Sequence, residues 1–397
     1  MSMISRGLEQ ELLQSAGEMP VLTLTGPRQS GKTTLVRACF PDYEYVTLEN
    51  PDVRREFMDD PRYFLKRYSN HIIFDEAQRT PELFSYLQEV VDRTNEPGQF
   101  VLTGSQNFLL MNTISQTLAG RVAVRYLLPL AYSELSESNE TCDAANWIFK
   151  GGYPRLYDGD IRIANFYGDY LSTYVERDVR NELGVRKIAG FDRFVHYAAH
   201  QCGKSFNATS FAEACGISRL TANDWMSVLE SSFIAFRMLP YYKNYGKQLV
   251  KAPKMYFYDT GLAANLIGLD AADDLRNGEM WGNMFENAVA VEIMKQYYMR
   301  GSEPKLYYWR DNKGLEIDFI VEKGGKPQYV IEVKASSTYD VHAWANIDKL
   351  ADAMEVDTNH RILVYGGEER FETRHGRVLR LRDLAELVKS TYCQGWK

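Results

Sequence analysis

The chain has 397 residues, 45% apolar and 25% charged, with a formal net charge of −7. That length allows two or three domains with cores of their own in an ordinary globular protein, and the negative balance excludes a chain-wide attraction to nucleic acid, so any such contact needs a local patch. No run of about 18 apolar residues marks a membrane span, Met1 to Gln14 lack a signal-peptide core, and five scattered cysteines without a C-x-x-C pair predict reduced thiols, a cytoplasmic setting and no structural zinc.

In chain order, the N-terminal residues predict a short helix packed on the first domain. Val21-Leu22-Thr23-Leu24-Thr25 reads as a buried strand, and Gly26-Pro27-Arg28-Gln29-Ser30-Gly31-Lys32-Thr33 fits the pattern G-x-x-x-x-G-K-[ST]. From Thr34 to Ala38 a helix can open. Strand, loop and helix in that order are what a nucleoside triphosphate needs: backbone N–H groups wrap the phosphates and the glycines permit the tight path. In this reading ATP is held by the loop from Gly26 to Thr33 and by Thr34, Lys32 reaches the β- and γ-phosphates, and Thr33 holds Mg²⁺.

Tyr45 to Leu48 reads as a strand. Pro61 to Tyr68 and Pro81 to Asp92 read as helices with proline near the start. His71-Ile72-Ile73-Phe74-Asp75-Glu76 is an apolar run ending in two acids, as in a buried parallel strand with a functional tip. Asp75 is expected to orient Mg²⁺ and Glu76 to polarise the attacking water. Gln99 to Thr103 predicts a third such strand, ending at Gly104-Ser105-Gln106, where Ser105 can face the γ-phosphate or the water. With Val122 to Leu127 as a further strand, residues 1–135 read as a doubly wound α/β sheet with a nucleotide at its carboxyl edge.

Residues 136–189 read as a helical linker or lid. Ser133 to Asn146 is polar, Gly151-Gly152-Tyr153-Pro154 is a turn, and Ile161 to Leu183 is helical, with an arginine-bearing run from Tyr174 to Arg180. Residues 190–275 carry a helix-turn-helix signature from Phe211 to Thr221, with Ser218 as the cap of the second helix, then two strands forming a wing. Lysines 243, 247, 251 and 254 lie among Tyr241, Tyr242 and Tyr245, a pattern suited to phosphate contact and base stacking. Arg219, Thr221 and Asn223 are the polar readers of the second helix.

Residues 276–397 read as helix, three strands, helix, strand. Glu286 lies on the first helix. Asp318 lies on the second strand, and Glu332 and Lys334 share one face of the third. Asp318 and Glu332 suit Mg²⁺ or Mn²⁺, and Lys334 beside them can help deprotonate a water for phosphodiester attack.

Gly26 to Thr33, Phe74-Asp75-Glu76, Leu102-Thr103-Gly104-Ser105, Leu118-Ala119-Gly120-Arg121, Gly151-Gly152-Tyr153-Pro154 and Gly314-Leu315-Glu316-Ile317-Asp318 together resemble one family. It is that of prokaryotic AAA-type ATPases with a C-terminal domain of unknown function having a restriction-endonuclease-like core. The resemblance covers nearly the whole chain. It implies a P-loop AAA-type doubly wound sheet, a winged-helix segment and a nuclease-like α/β domain. It also implies nucleotide-site roles for Lys32, Thr33, Asp75, Glu76 and Ser105, a phosphate- or subunit-contacting Arg121, and a nuclease-like set of Asp318, Glu332 and Lys334. The expected function is Mg²⁺-dependent ATP hydrolysis coupled to a nuclease-like module acting on or near nucleic acid, in a monomer or a homo-oligomer. The alternative is an ATP-gated switch that binds protein or DNA through an inactive nuclease-like fold.

Overall fold

The computed structural model describes residues 4–105, 114, 116–137, 143–175, 188–242 and 252–393. The first sheet holds five parallel strands, β1 (Val21–Thr25), β2 (Glu44–Thr47), β3 (Ile72–Asp75), β4 (Phe100–Gly104) and β5 (Val122–Tyr126). Their spatial order is β2-β3-β4-β1-β5. The central strands are buried on both faces, which is why they read as unbroken apolar runs rather than alternating ones. Successive residues still part to opposite faces. Leu22, Leu24, Ile73 and Val101 pack with Leu8, Leu12 and Ala16 of the N-terminal helix and with Leu35 and Val36. Phe74, Phe100 and Leu102 pack on the other side with Phe57, Phe64 and Phe84.

The segment after β5 is more ordered than its composition suggests. Tyr132–Glu137 is helical where a polar linker is expected, because its N-terminus is satisfied twice: its own Glu134 accepts from the Ala131 N–H at 2.8 Å, and the distant Glu292 accepts from the Tyr132 N–H at 2.8 Å. The Asp143 side chain caps Ala144–Lys150 by accepting from the Asn146 N–H at 2.8 Å. Beyond Ile163–Tyr170 the helix widens through Leu171–Val175. Glu176 to Arg180, and with them the expected arginine run, lie outside the described residues.

Ala208–Cys215 and Arg219–Ser231 are the two helices of the middle segment. Gly216 between them is left-handed at φ 67°, and Ser218 Oγ accepts from the Thr221 N–H at 3.0 Å. An antiparallel pair follows, β6 (Ala235–Met238) with β7 (Lys254–Phe257). Lys243, Tyr245, Lys247 and Lys251 lie outside the described residues.

Helix Trp281–Tyr298 comes next and is buried on nearly every side. After it β8 (Leu306–Arg310), β9 (Glu316–Lys323) and β10 (Lys326–Lys334) form an antiparallel meander. Helix Trp344–Met354 then crosses to β11 (Arg361–Tyr365), parallel to β10, and β12 (Phe371–Glu372) and β13 (Arg377–Leu379) complete a six-stranded sheet. One apolar core runs from Leu130 through the middle segment to Val388, so the last two thirds of the chain fold around helix Trp281–Tyr298.

Candidate functional site

The loop after β1 is built for close approach. Gly26 has φ 149°, and a Cβ there would collide with the Leu127 carbonyl; Gly31 has φ 92°. Lys32 folds back on the loop, donating to the Gly26 and Pro27 carbonyls at 2.9 and 2.7 Å. Burial pushes its ammonium down from 10.5 to about 8, against the pull of Glu76 and Asp75. Arg6 braces the loop from behind, donating to the Ser30 carbonyl at 2.8 Å, the Leu128 carbonyl at 2.7 Å and Glu134 at 3.0 Å. Ser30 Oγ is buried without a hydrogen-bond partner among the described residues.

Strand β4 lies between β1 and β3, so the loop and the acid pair flank the tip that ends in Ser105. Asp75 accepts from Thr33 Oγ1 at 3.0 Å, from the Tyr45 hydroxyl at 2.6 Å and from Thr103. Burial and the bond to Asp75 raise the Tyr45 phenol. Glu76 is left-handed at φ 56°, unusual for a side chain of its size and typical of strained functional positions. Its carboxylate accepts from Gln78 Nε2 at 2.7 Å and from Ser105 Oγ at 3.3 Å. Thr33 and Asp75 offer adjacent oxygen donors, the set that suits Mg²⁺ beside phosphate.

These groups open on a cleft of about 720 Å³ lined by Arg28, Lys32, Thr33 and Glu76 on one side and by Pro154 and Arg155 on the other. Gln29, Gly31 and Thr34 line it too. The far wall is the Gly151-Gly152-Tyr153-Pro154 turn. Asp259 holds it, accepting from the Gly152 N–H at 2.8 Å, the Tyr167 hydroxyl at 2.7 Å and the Leu262 N–H at 2.9 Å. Gly152 is required there, since a Cβ would strike the Leu130 carbonyl.

Arg121, expected beside a phosphate or a neighbouring subunit, lies away from this cleft. It precedes Val122, the partner of Val21 at the amino edge of the parallel sheet, and it pairs with Asp92. The loop is at the opposite, carboxyl edge, so Arg121 does not reach a phosphate bound by its own chain.

The C-terminal carboxylates also converge. The Asp318 carboxylate accepts from the Val333 N–H at 2.8 Å. Glu332 accepts from Lys334 Nζ at 2.7 Å through Oε1, while its buried Oε2 has no hydrogen-bond partner among the described residues. Glu286 joins them, accepting from the Tyr256 hydroxyl at 2.5 Å. Burial, then the neighbouring Glu286 and Glu332, push the Asp318 carboxyl well above its usual range; burial also raises Glu332.

Sequence patterning misplaces Lys254. Rather than facing solvent for a phosphate, its ammonium is buried at 2.6 Å from Glu316, 3.0 Å from Glu286 and 4.0 Å from Asp318. Burial opposes its charge, but Glu286, Asp318 and Glu316 outweigh burial and raise it. The reason is alternation along β7, which puts Lys254 on the same face as Tyr256, toward Glu286. Tyr45, Gln78, Arg155 and Asp259 are the site residues the sequence does not announce. Gln78, two residues past Glu76, and Arg155, next to Pro154, stand close enough to a motif to be suspected.

Residues 18–136 match the family model of the AAA domain. Residues 141–273 and 281–384 match two domains of unknown function, DUF8612 and DUF4143. The chain is 32% identical over 374 residues to an uncharacterized protein of Mycobacterium tuberculosis, spanning 92% of this chain and 81% of that one; a Mycobacterium bovis protein gives the same values. An uncharacterized protein of Haemophilus influenzae is 23% identical over 366 residues, 83% of this chain and 86% of that one. Among solved structures, the chain is similar to a Walker-type ATPase of Pyrococcus abyssi, with 14% identity, 66% of this chain and 96% of that one covered, and a TM-score of 0.44. It is also similar to the RuvB Holliday junction branch migration motor of Thermotoga maritima, with 17% identity, 59% and 90% covered, and a TM-score of 0.32.

Phosphate loop, acid pair and matched model together define a P-loop AAA ATPase domain. The chain as a whole belongs to one family with the two mycobacterial proteins. Among the described residues no helix is long and apolar enough to cross a membrane.

Proposed function

We propose that the protein binds ATP with Mg²⁺ in the cleft between the phosphate loop and the Gly151–Pro154 turn, hydrolyses it, and uses the cycle to control its C-terminal domain. One observation carries this reading: Lys32, Thr33 and Glu76 line a single cleft, with Asp75 bonded to Thr33 behind it. Lys32 exchanges its two carbonyl partners for the phosphates. Mg²⁺, held by Thr33 and Asp75, would neutralise charge on the phosphate oxygens. Glu76, oriented by Gln78 and Ser105, accepts the proton of the attacking water. Arg28 and Arg155 are the cleft arginines that can stabilise charge in the transition state.

The C-terminal domain is the output. Its proposed target is nucleic acid, approached through a winged-helix-like segment whose Arg219, Thr221 and Asn223 begin the second helix. Metal-dependent cleavage by Asp318, Glu332 and Lys334 is supported by the convergence of those three groups. A switch that binds without cutting is supported by Lys254, whose ammonium already lies among the carboxylates. ATP hydrolysis measured with and without single- and double-stranded DNA separates partner classes. DNA stimulation that is lost in Glu76→Gln supports a nucleic-acid target. Turnover indifferent to DNA removes it and leaves the protein-binding switch.

A further inference from the structure

The carboxylate centre of the C-terminal domain holds four acids. Glu286 comes from the central helix, Glu316 and Asp318 from β9, and Glu332 from β10. Buried carboxylates at this density need a cation. Lys334 pairs with Glu332 at 2.7 Å and Arg310 with Glu316 at 3.5 Å from the rim, and a more deeply buried cation comes from another segment. Lys254 on β7 is 7% exposed at its side chain and reaches Glu316 at 2.6 Å and Glu286 at 3.0 Å, with Asp318 at 4.0 Å. Tyr256, two residues on and on the same face, holds Glu286 in place.

Two further observations bear on what this ammonium does. As the carboxylates stand, no group of three or more His, Cys, Asp or Glu among the described residues is disposed to hold a metal ion. Yet Glu332 Oε2, on a residue only 6% exposed, has no hydrogen-bond partner among the described residues. An acceptor buried and left open is costly unless something else uses it. The centre therefore carries both a cation in the seat and a donor oxygen beside it that this cation does not satisfy.

We propose that Lys254 is the resident cation of this centre, and that a divalent metal ion binds there only by displacing it. Glu286, Glu316 and Asp318 are the oxygens over which the two cations compete, and Glu332 Oε2 is the one the metal gains. The centre is closed while β7 stays docked and becomes a hard-metal site when Lys254 withdraws. The proposal depends on the reading of this domain as a cation centre, not on ATP hydrolysis, and its test contains no nucleotide, so either can fail alone.

The test is Mn²⁺ titration of the full chain followed by electron paramagnetic resonance. Wild type, Lys254→Met and the double variant Lys254→Met/Asp318→Asn are compared, each checked for folding by thermal melting. Lys254→Met should bind Mn²⁺ at least about tenfold more tightly than wild type, since it removes one unit charge from the seat, and Asp318→Asn should abolish the gain. Equal Mn²⁺ affinity in wild type and a folded Lys254→Met would overturn the proposal. A second measurement uses wild type alone, in case the variant does not fold. Acetylation of Lys254, read by peptide mass spectrometry, should be slow without metal and accelerate with Mn²⁺. Rapid labelling without metal, or protection that Mn²⁺ leaves unchanged, contradicts displacement.

Discussion

At the level of single residues, the nucleotide site turns on side chains whose partners change when ATP arrives. Lys32 is the clearest. Burial pushes it down to about 8, below its ordinary 10.5. The folded value lies below the unfolded one. Between those two pH values the unfolded chain therefore binds the extra proton, and the burial penalty on folding fades as pH rises through the window. On the proposed reading, ATP would reverse the balance by placing phosphates against the ammonium. Nucleotide binding should thus take up a proton above about pH 8. Calorimetry in buffers of different ionisation enthalpy measures this directly: uptake at pH 8.5–9, little at pH 7, and none in Lys32→Ala. No uptake at the higher pH would remove Lys32 from phosphate contact. Arg121 gives the complementary case. Its ion pair with Asp92 at the far edge of the sheet predicts that Arg121→Ala keeps turnover within about twofold of wild type, as for an exposed salt bridge. A collapse of turnover at unchanged stability would mean that Arg121 serves another subunit's nucleotide.

At the level of elements, the joints between segments are made by buried polar side chains. Helix Trp281–Tyr298 carries Glu292, Lys295 and Gln296 on the face toward the nucleotide domain. Glu292 supplies the N-terminal acceptor for helix Tyr132–Glu137, and Lys295 donates to the Leu130 carbonyl at 2.9 Å. Glu292→Ala should therefore strand two helix N–H groups, a loss of about 1–3 kcal/mol readable in urea denaturation. A loss below about 1 kcal/mol would show that the joint does not depend on this acid. The same joint explains what was legible in the sequence. Phosphate loop, acid pair, helix-turn-helix and β-meander are each specified by neighbours a few residues away, and periodicity and capping residues locate them. Helix Tyr132–Glu137 is capped by a residue 160 positions later, Asp75 is held by Tyr45 only because β2 docks on β3, and Lys254 meets its acids through three separate elements. Those contacts exist only after the chain has folded, and no local pattern encodes them.

Across the whole molecule, β7 links the two candidate sites. Lys254 at its start lies among the C-terminal carboxylates, and Asp259 just beyond its end grips the turn that walls the nucleotide cleft. An extended chain of that length spans about 16 Å, so a shift of the turn on nucleotide binding has a short, stiff route to Lys254. A non-hydrolysable ATP analogue should therefore change the acetylation rate of Lys254, and Asp259→Asn should weaken that response while leaving nucleotide affinity within a few-fold. An unchanged labelling rate at saturating analogue would show that the two ends of β7 are independent. The apolar core shared by the middle and C-terminal segments makes independence the less natural outcome, since neither can move without repacking the other.

The measurement that bears most directly on the account is phosphate release from ATP by the full chain with Mg²⁺, in wild type and in Glu76→Gln, alongside binding of a fluorescent ATP analogue to both. Wild type should turn over, and Glu76→Gln should bind the analogue within a few-fold of wild type while losing turnover by about 100-fold or more. Turnover by Glu76→Gln equal to wild type, or no hydrolysis by a wild type that binds the analogue, would contradict Glu76 as the base and the cleft as a hydrolytic site.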